Sequence, residues 1–409
     1  MSFHSLPLEI VCLVVTLLDF ADVLNLRLTS RTVRALLSED SINARLFSRK
    51  QVSLTVASLT SLVRMTSPDS AGCALQHCTI TGVIGETLSL AHDNECKQLL
   101  ATAFRNLKNH SPEGRLASLR LDVNCSRSRH SVRLSNETLK STWETAIRTF
   151  NVTMTALQES ALGVDGCLNI FADVQGCSLP YDVFVPLSRQ FAATAVFSDL
   201  KQLSVSLSSP VKDHRDHAVQ STAELVEENA GPRYRDSQLL HGMSALQGLL
   251  DMSTVMPSLK SLSVHWYNLG RLASRAQSET SIQMKPQPAF TRLDGCRIRG
   301  VHATATGLLQ FLTNLHPKTI CLADIVLKAG TYAPIFSYIT APGSGLVHFG
   351  VPGIPKFPYS GTRVGPSTLE RRGDDAKEAI RYSVPQARAL GSPYRMQWLH
   401  GKYAEYGSR

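Results

Sequence analysis

No apolar run in this 409-residue chain approaches eighteen residues, which excludes a membrane-spanning helix. The stretch from Ile10 to Leu18 is apolar but follows Glu9, where a secretion signal would carry positive charge. An intracellular protein is therefore expected, in the cytoplasm or the nucleus, and the glycosylation triplets that begin at Asn124, Asn136 and Asn151 are chance matches. Paired cysteines are also lacking. The nine present are an odd number and lie scattered, the pattern of reduced thiols rather than of a disulfide framework. One cluster, Cys73, His77, Cys78, His92 and Cys96, has metal-ligating residue types but not the Cys-x-x-Cys spacing that brings ligands to a tetrahedral ion, so no metal is expected. Catalytic signatures are missing too: no Gly-x-Ser-x-Gly elbow, no Gly-Lys-Ser/Thr phosphate loop, no His-Glu-x-x-His and no dinucleotide glycine fingerprint. His214 and His217 lie beside Asp213 and Asp216 in a polar run that suits solvent better than a dry general base. Neither enzymatic activity nor a cofactor is expected.

What the chain does have begins at its first forty residues. Ser5 offers a helix cap and Pro7 fits a first helical turn, where its missing N–H costs nothing, so a helix is predicted to carry Ile10, Val11, Val14, Val15 and Leu18. Asp19 to Asp22 break it. A second short helix would carry Val23, Leu24 and Leu26, and a third, capped by Thr29 or Ser30, would turn Val33, Leu36 and Leu37 inward. Three helices this short bury too little to offset the entropy of ordering them, so they need a partner surface.

The pattern Leu6-Pro7-Leu8-Glu9-Ile10, Val14-Val15, Leu18-Asp19, Asp22-Val23-Leu24, Leu26-Arg27-Leu28 and Ser30-Arg31 resembles the F-box. Thr32-Val33 stand where that family often carries a bulky aromatic residue. The resemblance implies docking onto the Skp-type adaptor of a cullin-based ubiquitin ligase, with Leu6, Pro7, Ile10, Val14, Leu18 and Leu24 on or near the docking face.

After a bridge with a strand predicted at Val52 to Val56 and a helix over Leu59, Leu62 and Val63, the chain repeats itself. Leu116-x-x-Leu119-x-Leu121-x-x-Asn124 fits the leucine-rich-repeat template. Looser copies are Phe197-x-x-Leu200-x-x-Leu203-x-Val205, Leu259-x-x-Leu262-x-Val264, Leu293-x-x-Cys296-x-Ile298 and Ile320-x-Leu322. The steps from Leu262 to Cys296, from Ile298 to Leu322 and from Leu322 to Val347 are 34, 24 and 25 residues, so the period is irregular. Helices should fall between the strands: one capped by Asp93 with Cys96, Leu99, Leu100, Phe104 and Leu107 inward, and one capped by Asn136 with Leu139, Trp143, Ala146, Ile147, Phe150, Met154 and Leu157 inward. Shorter ones are expected at 239–250, 306–315 and 331–339.

Residues 208–236 mix charges of both signs with Pro210, Gly231 and Pro232 and predict a mobile insertion. From Pro352 onward ten Lys or Arg face five Asp or Glu, which places more than half of the net charge of +9 in the tail, where 374–382 and 397–406 suggest short helices. The basic surplus suits nucleic acid, an anionic membrane or an acidic or phosphorylated protein, but no nucleic-acid-binding motif or interleaved aromatics accompany it. Arg297 with Arg299, and Arg371 with Arg372, are either solvated surface or a clamp for a phosphorylated target.

The expected architecture is thus α/β: a three-helix F-box at 1–45, an irregular leucine-rich-repeat-like solenoid of short parallel strands and helices at 46–351, and a basic Pro/Gly-rich tail at 352–409. The layout is similar to the F-box proteins of filamentous fungi. The resemblance implies a substrate-recognition subunit that binds the adaptor, through it a cullin, and an unidentified protein target. The alternative is a repeat scaffold that binds the adaptor without cullin.

Overall fold

The computed structural model describes residues 10, 11, 14, 25, 26, 28–36, 47–68, 70–85, 90–124, 136–172, 174, 176–210, 232–267, 290, 293–323, 325–354, 367–372, 380–383 and 403–406. Near the N-terminus, Ile10, Val11, Val14, Asn25, Leu26, Leu28 and Thr29 are helical, and Arg31–Leu36 forms α1. Ser30 caps α1 as the sequence predicts: its Oγ accepts the Val33 N–H at 3.1 Å, which satisfies one of the donors a helix start leaves open.

The body is one mixed α/β layer pair. Its strands are β1 (Arg49–Ser53), β2 (His77–Val83), β3 (Arg115–Asn124), β4 (Gly163–Ile170), β5 (Leu179–Pro180), β6 (Gln202–Ser208), β7 (Ser261–Tyr267), β8 (Gly295–Arg299), β10 (Thr319–Ala323), β12 (His348–Ile354) and β13 (Ser367–Arg372). They form an eleven-stranded sheet in the order β1-β2-β3-β4-β6-β7-β8-β10-β12-β13, with β5 paired to β6. Each strand lies parallel to its predecessor except the last, which is antiparallel. β9 (His302–Thr304) and β11 (Val326–Ala329) pair separately, as do β14 (Ile380–Ser383) and β15 (Tyr403–Tyr406).

Strand register explains the core. Val52, Ile80, Leu121, Ile170, Val205, Val264, Ile298 and Leu322 are successive Cα partners and all are buried. A second row, Cys78, Leu119, Leu168, Leu203, Leu262, Cys296, Ile320 and Phe349, runs beside it two residues away. Since side chains of a strand alternate between faces, both rows point to one side, and the helices cover that side. Those helices are α2 (Val56–Met65), α3 (Leu90–His110), α4 (Asn136–Ser160), α5 (Tyr181–Phe184), α6 (Leu187–Gln190), α7 (Pro232–Asp251), α8 (Ala305–Leu315) and α9 (Ala333–Thr340). Phe104 of α3, Phe150 of α4 and Phe311 of α8 are fully buried there, each contributing about 2–3 kcal/mol of apolar burial. None of the described helices is long and apolar enough to cross a membrane.

Several expectations are corrected. Val56 opens α2 instead of ending a strand, because Thr55 Oγ1 accepts the Ser58 N–H at 3.3 Å and caps it. Asp93 sits in the first turn of α3, which starts at Leu90, and its carboxylate pairs with Arg148 Nε of α4 rather than capping. In β12 the register partner of Ile320 is Phe349, while Val347 is exposed. The insertion is shorter than 208–236: Ser208 closes β6 and Pro232 opens α7, with 211–231 outside the described residues. The tail does not begin cleanly at Pro352, since β12 runs to Ile354 and Ser367–Arg372 adds a strand to the sheet. Of the helices expected at 374–382 and 397–406, residues 380–382 and 403–406 belong instead to strands Ile380–Ser383 and Tyr403–Tyr406, and 374–379 and 397–402 lie outside the described residues. A backbone N–H and C=O paired across strands there replace the pairing a helix would make internally.

Candidate functional site

Two surfaces carry the residues singled out in the sequence. At the N-terminal helices, Ile10 is 43% exposed and Leu28 84%, while Val11 and Val33 are buried and Val14 is half-buried. Leu6, Pro7, Leu18 and Leu24 lie outside the described residues. The local reason for the split is the helical period: Val11 and Val33 face inward, and large apolar side chains are left on the outer side.

The second surface is the face of the sheet turned away from the helices. One row in register there reads Gln51, Thr79, Arg120, Asn169, Ser204, Ser263, Arg297, Cys321 and Gly350. Further along, Ser53, Thr81 and Asp122 align on one flank and Ser206, His265, Arg299 and Ala323 on the other. The β1–β3 flank is internally bonded: Gln51 Nε2 donates to Thr81 Oγ1 at 3.1 Å, His77 Nδ1 lies 2.8 Å from Ser118 Oγ, and Arg120 bridges Asp122 at 3.5 Å. Burial, with the Arg49 charge beside it, pulls the His77 pKa below its ordinary value. On the other flank Arg297 and Arg299 are both exposed, two residues apart on one strand and therefore on the same face, about 6.6 Å apart along it. Arg371 and Arg372 lie in β13 instead, in register with Phe349 and His348, so the two arginine pairs belong to different strands.

The five metal-type residues do not converge. His77 stands on the outward face while Cys78 is buried among the core, and Cys96 Sγ lies 3.7 Å from His92 Nε2 one turn away on α3. Among the described residues no group of three His, Cys, Asp or Glu is placed to hold a metal ion. Burial pushes the Cys78 and Cys296 thiols up to about 12, which keeps them protonated and unreactive.

Sequence reasoning missed a buried polar cluster where α7 meets the sheet. The Tyr181 ring lies tilted, 5.3 Å from the His241 ring and 6.4 Å from that of Trp266, and Gly242 brings α7 so close to β9 that a Cβ there would strike the His302 carbonyl. Burial holds both His241 and His302 near pKa 4, with the Lys328 charge adding to the effect at His302. Neither Nδ1 has a hydrogen-bond partner. Single histidines on apolar stripes gave no sign of this, since only the tertiary packing brings them in.

Compared with known families, residues 3–45 match the F-box domain, about a tenth of the chain. No curated protein matches the chain.

Proposed function

We propose, from the F-box at residues 3–45, that this chain is the substrate-recognition subunit of a Skp-cullin-F-box ubiquitin ligase. F-box domains generally bind Skp1-type adaptors, and the exposed Ile10 and Leu28 supply apolar surface for that contact. The match to the F-box is the observation that carries the reading. Leu6, Pro7, Val14, Leu18 and Leu24 complete the docking face by their resemblance to the family pattern. The sheet body would hold the target. Parallel strands laid side by side in chain order, each followed by a covering segment, are the topology that a leucine-rich-repeat-like solenoid produces, and this supports the repeat reading. The chain itself performs no chemistry in this account. Held on the adaptor, it raises the effective concentration of the target near a conjugating enzyme brought by the cullin.

A direct test compares the wild-type chain with Leu6→Asp/Pro7→Ala in cells. Adaptor and cullin should co-purify with the wild type and both disappear with the variant. Adaptor retained without any cullin would favour the non-ligase scaffold, and adaptor retained by the variant would refute docking through this motif.

A further inference from the structure

Helix α7 changes character at Gly242. After it, Met243, Ala245, Leu246, Leu249 and Leu250 are buried, and Gly248 lies so close to α5's neighbour Val185 that a Cβ there would strike Val185 Cγ2. Before it, among the described side chains, Leu239 and Leu240 are half-buried and only His241 is buried. Apolar contacts therefore anchor the carboxyl-terminal half of the helix. The amino-terminal half is held mainly at His241 and by the close approach of Gly242 to the His302 carbonyl of β9. A glycine inside a helix weakens it at that point, because its backbone has the most freedom to regain.

Two imidazoles flank this contact, one on each element. His241 and His302 are 3% and 8% exposed, and neither Nδ1 has a hydrogen-bond partner. α7 packs on β9, α8 and α5, and β9 packs on α7, α8 and β11. From α5 come Tyr181, its hydroxyl bonded to Ser244, and Asp182, whose carboxylate accepts its own and the Val183 backbone N–H. β11 brings Lys328, whose charge opposes a second positive charge on His302. α8 carries no titratable residue, and β9 carries none besides His302. β7 turns Trp266 to this side, and its indole only donates, while His265 and Tyr267 lie on the opposite face. Among the described residues, nothing offers a protonated imidazole here a counter-charge, and burial accordingly lowers both histidines from 6.5 to about 4.

We infer that the amino-terminal half of α7 is a proton-operated latch: protonation of His241 and His302 releases residues 232–241 from β9 by bending at Gly242, while the rest of α7 stays packed. Release lets water hydrate both imidazolium ions, which the closed contact cannot do. With pKa values of about 4 closed and 6.5 open, lowering the pH from 7 to 5 favours the open form ~20-fold for one histidine and ~500-fold for both. The latch is independent of the F-box reading and lies in a different part of the chain.

The test is native-state hydrogen exchange of the full chain at pH 7 and pH 5, each in increasing low concentrations of urea, read by mass spectrometry and corrected for intrinsic exchange rates. Amides of residues 236–242 should open ~500-fold more often at pH 5. Their opening should depend little on urea, because a local release exposes little surface, whereas amides of residues 246–251 should follow the steeper urea dependence of the β3 amides. His241→Phe and His302→Gln, each with far-UV circular dichroism unchanged at pH 7, should cut the pH response to ~20-fold. If one variant does not fold, the other decides. Three results would overturn the latch: amides 236–242 sharing the opening free energy and urea slope of β3 at both pH values, local opening without pH dependence, or a folded variant that responds like wild type.

Discussion

Single positions carry steric and electrostatic constraints that composition hides. Gly82 of β2 lies against α4 so closely that a Cβ would strike Thr149 Oγ1 and crowd Thr145 Cγ2. The threonines cannot give way easily, because Thr149 Oγ1 donates to the Thr145 carbonyl and Thr145 Oγ1 to the Ser141 carbonyl, each at 2.7 Å. Gly82→Ala should therefore cost about 1–3 kcal/mol, read as a lower urea midpoint, whereas Gly343→Ala, which meets nothing within 4 Å, should leave the midpoint within about 0.5 kcal/mol of wild type. The buried histidines set a pH dependence. Both titrate near 4 when folded against the ordinary 6.5, so between those values the unfolded chain binds more protons than the folded one. Stability is then full above about pH 6.5 and falls as pH drops toward 4, by roughly 3 kcal/mol for each histidine at the lower limit. Urea titrations at pH 7 and pH 4.5 check this: His241→Phe should flatten the slope, and an unchanged slope in that variant would remove His241 from the account. Neither constraint was legible beforehand, since His241, His302 and Gly82 acquire their neighbours only from elements distant in sequence.

Elements were legible where hydrophobic spacing was undisturbed. Leu116-x-x-Leu119-x-Leu121 became β3 and Leu259-x-x-Leu262-x-Val264 became β7, and the stripe from Trp143 to Leu157 became α4. β2 and β4 were not foreseen. β2 follows the template as Leu75-x-x-Cys78-x-Ile80, but a cysteine and an isoleucine replace its leucines, while in β4 the register shifts between Leu116 and Ser118 of its partner, so that Val164 and Leu168 stand four residues apart instead of three. At the tail, helix-favouring residues from Asp374 to Ile380 outweighed a strand at Ile380–Ser383 whose partner lies more than twenty residues on, a pairing that local propensity does not encode. Caps were legible in part: Ser30 caps α1 as expected, Asp93 does not cap α3, and Thr55 and Thr304 are caps that were not foreseen. Thr304 Oγ1 accepts the Gly307 N–H at 3.0 Å at the start of α8, and Thr304→Ala should cost about 1 kcal/mol by thermal unfolding. Ser30→Ala should weaken α1 by a similar amount, and with it the affinity for the adaptor.

At the scale of the whole molecule, the sheet body and the residues that match the F-box occupy different parts of the chain. The rows of core residues run through β1 to β12 and are covered by the chain's own helices; of the large apolar residues that stay exposed among the described ones, Ile10 and Leu28 lie in the short N-terminal helices and Leu90 and Val347 in the body. The N-terminal unit was readable from the Leu-Pro-x-Glu-Ile pattern; the burial of Ser206 and Ser208 was not, because three serines in seven residues of β6 look like solvent-facing alternation until register and burial are known. Removal of residues 1–45 should leave cooperative unfolding of the body intact with adaptor binding abolished, by differential scanning calorimetry and pull-down together. The most direct measurement is calorimetric titration of a purified Skp-type adaptor into the full chain and into Ile10→Asp/Leu28→Asp. Docking through the F-box predicts a one-to-one complex with the wild type and at least a hundredfold weaker binding by the variant at equal folded content, whereas equal affinity of the two would contradict it.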